Sequence, residues 1–167
     1  VADCAAVGSA MVGAGTIFVL ANITNFSSQR AIACKTNNNI PNPYDMNYAG
    51  GSGGAQLVTG DGGGYTLYSA AGASSGVWFT GSFSRNAGNS AGQYHHNGSP
   101  ISTSGGFGAG VTNNSQPLLI GRRSDGGGQM NGYIAMLAMW DRELSTTEVV
   151  ALNAAPFGLL VPEVARR

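Results

Sequence analysis

The stretch MWDRELSTTEVVAL, residues 139–152, sets Asp141 and Glu143 two positions apart beside Trp140. Carboxylates near an aromatic ring are the working parts of a glycosidase. Such an enzyme needs two acids roughly 5–9 Å apart, one protonating the leaving oxygen and the other activating water or attacking the sugar. The same letters also spell a strand end running into a helix start. Ser145-x-x-Glu148 is a capping box: the Ser145 hydroxyl takes the amide of Glu148, and the Glu148 carboxylate returns to the amide of Ser145. Leu144 and Val149 occupy the positions of a hydrophobic staple. Glu148 is therefore committed to the helix. Asp141 and Glu143 flank the turn, where the positive helix end favours acids. The chain has three glutamates, Glu143, Glu148 and Glu163, all in its last quarter. The reading is a helix start, with no catalytic residue and no enzyme.

Other residue types could also carry chemistry. His95 and His96 are adjacent, so on a strand they point to opposite faces and cannot share a metal or a proton; a surface role is expected for both. Asp61 and Asp125 each open an Asp-Gly-Gly-Gly loop and are the only calcium candidates, since calcium takes several oxygen ligands, usually with carboxylates among them. No cofactor is expected otherwise. Aromatic faces stack on pyranose rings, and Tyr44, Tyr48, Tyr65, Tyr68 and Trp78 could contribute to such a contact. Arg122 and Arg123 could meet an acidic partner, although solvated loop arginines are the plainer expectation. Cys4 and Cys34 are too few for a disulfide scaffold or a structural zinc. They read as reduced core cysteines, and whether they pair is open.

The elements that must position these residues are short strands between Gly, Asn and Ser turns. TIFVLANIT, 16–24, is rich in β-branched residues and reads as a buried strand. RAIACK, 30–35, alternates and could pair with it. NNNIPNPYD, 37–45, reads as a loop. AQLVT, 55–59, is a short strand, and DGGGYTLYSA, 61–70, is a glycine turn followed by alternation. VWFTGSFSR, 77–85, reads as half-buried, with Val77, Phe79 and Phe83 inward and Trp78, Thr80, Ser82 and Ser84 outward. Asn97-Gly98 is the dipeptide a two-residue hairpin turn prefers. PLLIG, 117–121, is another strand, and SDGGGQMNG, 124–132, is a loop. YIAMLAMW, 133–140, reads as a strand buried on both faces. The capped helix is about two turns long and must dock on the sheet.

The 167 residues fit one domain, 1–167, with a short tail from about 154, and suffice to bury a core. Net charge is zero and only 10% of residues are charged, against about 25% in an average domain. The cations form no basic stripe, so nucleic acid is not an expected partner. No apolar run approaches the roughly 18 residues of a membrane span, so no membrane partner is expected. The opening segment lacks a basic n-region and carries Asp3, unlike a signal peptide. A neutral surface of Gly, Ser, Thr and Asn suits a protein packed in an assembly.

These motifs, in order, resemble the second half of the laminin G-like, concanavalin A-like family. The resemblance runs through Asn97-Gly98, Ile120-Gly121, Gly132-Tyr133-Ile134, and Arg142, Leu144, Ser145 and Glu148, over roughly 93–153. It implies an all-β, two-sheet antiparallel jelly-roll sandwich with one short C-terminal helix. Jelly-roll glycosidases carry Glu-x-Asp-x-x-Glu on one strand, and this chain has no such motif. The tail 153–167 resembles endings of such domains in tailed-bacteriophage structural proteins. The expected function is therefore a non-catalytic structural or interaction protein. A bacteriophage virion component, such as a capsid decoration protein or fibre component, stands first. Its partners would be other virion proteins such as a major capsid protein, with self-association into a homo-oligomer, and its location the virion. The alternative is a carbohydrate-binding, lectin-like module of a secreted or cell-surface protein, with a glycan as partner.

Overall fold

The computed structural model describes residues 14–35, 42–50, 53–60, 65–86, 92–105, 117–123 and 126–160. Among the described residues eleven strands run in chain order: β1 (Gly15–Ile23), β2 (Arg30–Cys34), β3 (Asn42–Tyr48), β4 (Gly54–Gly60), β5 (Tyr65–Gly72), β6 (Trp78–Arg85), β7 (Gly92–His96), β8 (Ser99–Ile101), β9 (Thr103–Gly105), β10 (Leu119–Ile120) and β11 (Gly132–Trp140). Helix α1 (Thr146–Ala154) and a 3₁₀ turn, Pro156–Leu160, follow. The strands form two antiparallel sheets, one ordered β11-β1-β6-β7-β8 and the other β10-β2-β3-β4-β5-β9. This is the jelly-roll sandwich that the sequence resemblance implied.

Alternation along the strands builds the core. Ile17, Val19, Ala21 and Ile23 of β1, with Phe79 and Phe83 of β6 and Tyr94 of β7 from the same sheet, cluster with Ile32, Tyr44, Met46, Tyr48 and Leu57 of the other sheet. The Tyr48 and Tyr94 hydroxyls meet at 3.1 Å in this apolar interior, which satisfies both buried groups. Gly81 makes room for them, since a Cβ there would run into the Tyr48 hydroxyl.

Several expectations change in the three-dimensional structure. RAIACK does not pair with TIFVLANIT: β2 bonds to β3 and β10 in the opposite sheet. Residues 42–45 are strand, not loop. The register shift between Asn42 and Asp45 absorbs Pro43, which lacks an amide for the ladder. The Tyr44 and Tyr48 rings face the core and are fully buried, so neither serves a surface contact. Strand β6 is buried on both faces beyond Trp78, because α1 covers its outer face. Strand β11, expected to be buried on both faces, is the edge of its sheet among the described strands, has no fully buried residue, and leaves Tyr133 two-thirds exposed.

The helix is seated by polar contacts reaching into the sheet it covers. Thr16 Oγ1 donates to Arg142 O at 3.0 Å and accepts the Leu144 amide at 2.9 Å. Thr80 Oγ1 donates to Asn153 Oδ1 at 2.6 Å. Leu144 and Val149 are both buried, as a staple requires. Helix propensity alone could not hold nine residues, so docking stabilises the element.

Candidate functional site

The carboxylates of the opening stretch are tied up in the helix start. Glu148 Oε2 accepts the Ser145 amide at 2.9 Å, and Ser145 Oγ accepts the Glu148 amide at 3.3 Å. Arg142 Nη2 donates to Glu148 Oε1 at 2.6 Å. The Arg142 bond, then the Ser145 amide and hydroxyl, hold the Glu148 carboxyl down to about 2. Both oxygens are thus spent on structure, and a group this acidic cannot lend a proton near neutrality. Asp141 and Glu143 stand exposed beside it.

The two histidines do point to opposite faces, but neither has the surface role expected of it. His95 is 2% exposed beneath α1, with Nε2 at 3.2 Å from Thr146 Oγ1. His96 turns inward, stacks on Phe79 at 5.5 Å between centroids, and lies 3.2 Å from the Tyr94 hydroxyl. Burial lowers the pKa of both.

The outer face of the six-stranded sheet carries a polar array. Asp45 and Asn47 of β3 and Gln56 of β4 face outward there, opposite in parity to the core residues of the same strands. Gln29 donates to Asn47 Oδ1 at 2.7 Å and to Gln56 Oε1 at 3.1 Å, and it accepts from Arg123 Nη1 at 2.9 Å. Arg123 Nε lies 3.5 Å from Asp45 Oδ2, with the side chains 29% and 5% exposed. Arg123 is therefore no solvated loop arginine; it is the electrostatic partner of a buried acid. Arg122, its neighbour, is exposed.

A different surface lies on the outer face of the five-stranded sheet. Asn22 of β1 is opposite Trp78 of β6 on one side and Tyr133 of β11 on the other. The three side chains form one cross-strand row. The Trp78 and Tyr133 rings stack over it, centroids 6.4 Å apart and planes inclined by 29°. Both rings are open to solvent, at 49% and 66% exposure, and Val77 beside them is 54% exposed. Beneath them Asn22 is 9% exposed. Its Nδ2 donates to Gly76 O at 2.9 Å, while its Oδ1 is buried without a hydrogen-bond partner. Only the NH₂ end can donate to a carbonyl, so the Gly76 bond fixes the orphan as the oxygen.

A bulge places Tyr133 in this row. Met139 and Leu137 face the core, so strict alternation would send Ala135 and Tyr133 inward as well. The register against β1 instead steps from Leu20↔Met136 to Ala21↔Ile134, leaving Ala135 unpaired. The extra residue reverses the parity: Ile134 turns to the core and Tyr133 to the outer face. Alternation of β6 identifies Trp78 from sequence, whereas Tyr133 was missed because nothing in the run of apolar letters marks the bulge.

The remaining candidates are not brought together with this row. Tyr65 and Tyr68 belong to β5 of the opposite sheet, and their side chains lie outside the described set. Asp61, Asp125 and Cys4 lie outside the described residues, and among those described no three potential metal ligands cluster. Cys34 is buried in β2.

Residues 7–150 match the Concanavalin A-like lectin/glucanases superfamily. No curated protein matches the chain in sequence. Among solved structures, the carbohydrate-binding module CBM40 of the Ruminococcus gnavus IT-sialidase superposes with a TM-score of 0.70 at 18% identity, over 86% of this chain and 84% of that one. The same module is also known bound to α2,3-sialyllactose. The SAP-like pentraxin of Limulus polyphemus gives 0.65 at 18% identity, over 85% and 70% of the two chains. The binding domain of botulinum neurotoxin DC, seen in complex with rat synaptotagmin II, gives 0.63 at 14% identity, over 89% of this chain and 37% of that one. At these identities the likeness is one of fold.

Proposed function

The chain belongs to the Concanavalin A-like lectin/glucanases superfamily, and within it we propose a non-catalytic carbohydrate-binding module, the role of a secreted or cell-surface protein. The observation that carries this reading is the open Trp78–Tyr133 shelf. Two large aromatic rings stacked in water form an apolar surface that folding alone would not retain. Aromatic rings with a polar floor match a sugar, whose C–H face is apolar and whose edge carries hydroxyls. The carboxylate engagement at Glu148 supports binding without hydrolysis. The CBM40 likeness supports the same class. The virion role that low charge and the tail suggested draws nothing from these likenesses, and residues 161–167 of that tail lie outside the described set.

A glycan array probed with the full chain tests the proposal. Saturable binding to at least one glycan is expected, and it should fall at least tenfold in Trp78→Ala. Because Trp78 is half-exposed, that variant should keep the wild-type melting temperature to within a few degrees. A chain that binds no glycan on the array refutes the module.

A further inference from the structure

The Trp78–Asn22–Tyr133 row carries more than a sugar-binding character; its chemistry also selects a kind of sugar. We infer that the shelf takes a neutral pyranose, held between the two rings, with one ring hydroxyl donating to Asn22 Oδ1. This inference rests on the carbohydrate-binding reading and deepens it.

The orphaned oxygen is the first reason. A buried amide oxygen without a donor has lost its bond to water and gained none in return. Asn22 Oδ1 is such an atom, fixed in orientation by the Gly76 bond, at the floor of an aromatic cleft. Its missing partner must be a donor, and a sugar hydroxyl is one. Trp78 and Tyr133 flank Asn22 on the two neighbouring strands. Tyr133 stands on the edge strand and is two-thirds exposed, so its ring has room to turn aside. Exposed side chains change rotamer in picoseconds to nanoseconds.

Charge is the second reason. The groups around the row are hydroxyls and amides: Ser75, whose Oγ donates to Thr24 O at 2.6 Å, and Thr24, whose Oγ1 donates to Asn131 Oδ1 at 2.7 Å. Neither of these bonds involves a cation, and Arg30, on β2 of the opposite sheet, has its donors engaged. Nε bonds Asn25 O at 2.7 Å, Nη1 bonds Gln129 O at 2.9 Å, and Nη2 bonds Ser27 Oγ at 3.3 Å. Arg123 lies on the opposite sheet and is held by Gln29 and Asp45. Among the described residues no cation bonds to these groups, so an anionic sugar would bring its carboxylate to a shelf without a charge partner. A neutral sugar loses nothing.

The test is calorimetric titration of the full chain with cellohexaose, maltohexaose and hexa-N-acetylchitohexaose, and separately with sialyllactose, at low and high salt. The variants are Trp78→Ala, Tyr133→Ala and Asn22→Ala. We expect at least one neutral hexaose to bind at least tenfold tighter than sialyllactose. Its affinity should be the same at both salt concentrations, because no charge pair is screened. Each of the three variants should weaken it at least tenfold. Asn22→Ala also loses the bond to Gly76, so the two ring variants are decisive if it melts early. Preference for sialyllactose, or salt-sensitive binding, overturns the neutral ligand while leaving a carbohydrate-binding module intact. Hexaose binding that survives both ring variants overturns the shelf. No binding to any of the four, with none on the glycan array, ends both proposals.

Discussion

Gly132 decides whether the shelf can form, and replacing it with alanine should be among the most damaging single-methyl changes in the protein. It opens β11 at φ +146°, a conformation L side chains rarely adopt. Holding alanine there costs about 1–3 kcal/mol. The new Cβ would also overlap the carbonyl oxygen of Asn22 and stand 3.0 Å from Ile23 Cα. Those atoms are backbone of β1, paired on both sides, and cannot move cheaply. Forcing a methyl into such packing costs another ~1–3 kcal/mol. The sum is about 4 kcal/mol, or on the order of 10 °C in melting temperature for a domain of this size. Gly126 supplies the control. It too has a positive φ, +78°, but nothing lies within 4 Å of its would-be Cβ. Gly126→Ala should cost only the conformational penalty, about 1 kcal/mol or ~3 °C. Thermal denaturation measures both. Near-ultraviolet circular dichroism reports the stacked Trp78–Tyr133 pair, and its signal should change in Gly132→Ala alone. If the two variants melt within about 3 °C of each other, the close approach at Gly132 does not constrain β11 and the account of the shelf's geometry is wrong.

Further outcomes follow from the polar contacts. Arg123→Ala should destabilise the fold by about 2–3 kcal/mol, between an exposed ion pair and a buried one, because it strips the guanidinium from Asp45. Arg123→Ala combined with Asp45→Asn should be more stable than Arg123→Ala alone; a chemical denaturation series that finds the two losses additive would disprove the coupling. Glu148 should add acid resistance. Its folded value near 2 lies below the ordinary 4.5, so its stabilisation is full above pH 4.5 and lost as pH falls from there towards 2. Melting curves across that range should be flatter in Glu148→Gln than in wild type. His95 and His96 act in a higher window. Burial lowers both, so the unfolded chain binds protons first, and stability should decline as pH falls below 6.5. His95→Gln should lessen that decline, and an unchanged pH profile would contradict its burial under α1.

What the amino-acid sequence determined was local. The β-branched run of β1, the turn at Asn97-Gly98 with φ of +50° and +78°, and the capping box at Ser145 and Glu148 each stand in the structure where their letters place them. Each rests on contacts within a few residues, where propensity, turn chemistry and caps act. The order of those signals also sufficed to imply the sandwich. Sheet membership was not legible, because β2 leaves β1 for β3 and β10 only through the way the chain folds back, and alternation does not say which sheet a strand joins. For the same reason β11 read as buried on both faces when it is an edge among the described strands, and β6 read as half-buried when α1 covers it. The candidate site divides the same way. Alternation along β6 turns Trp78 outward, yet its partner, its floor and its opening to solvent depend on three strands meeting. Arg123 read as solvated until the fold set it against Asp45. Tyr133 faces water because one unpaired residue, Ala135, shifts a side-chain period of two by one step. That shift exists only in the pairing of β11 with β1, so the tertiary structure, not the string of residues, decided which ring completes the shelf.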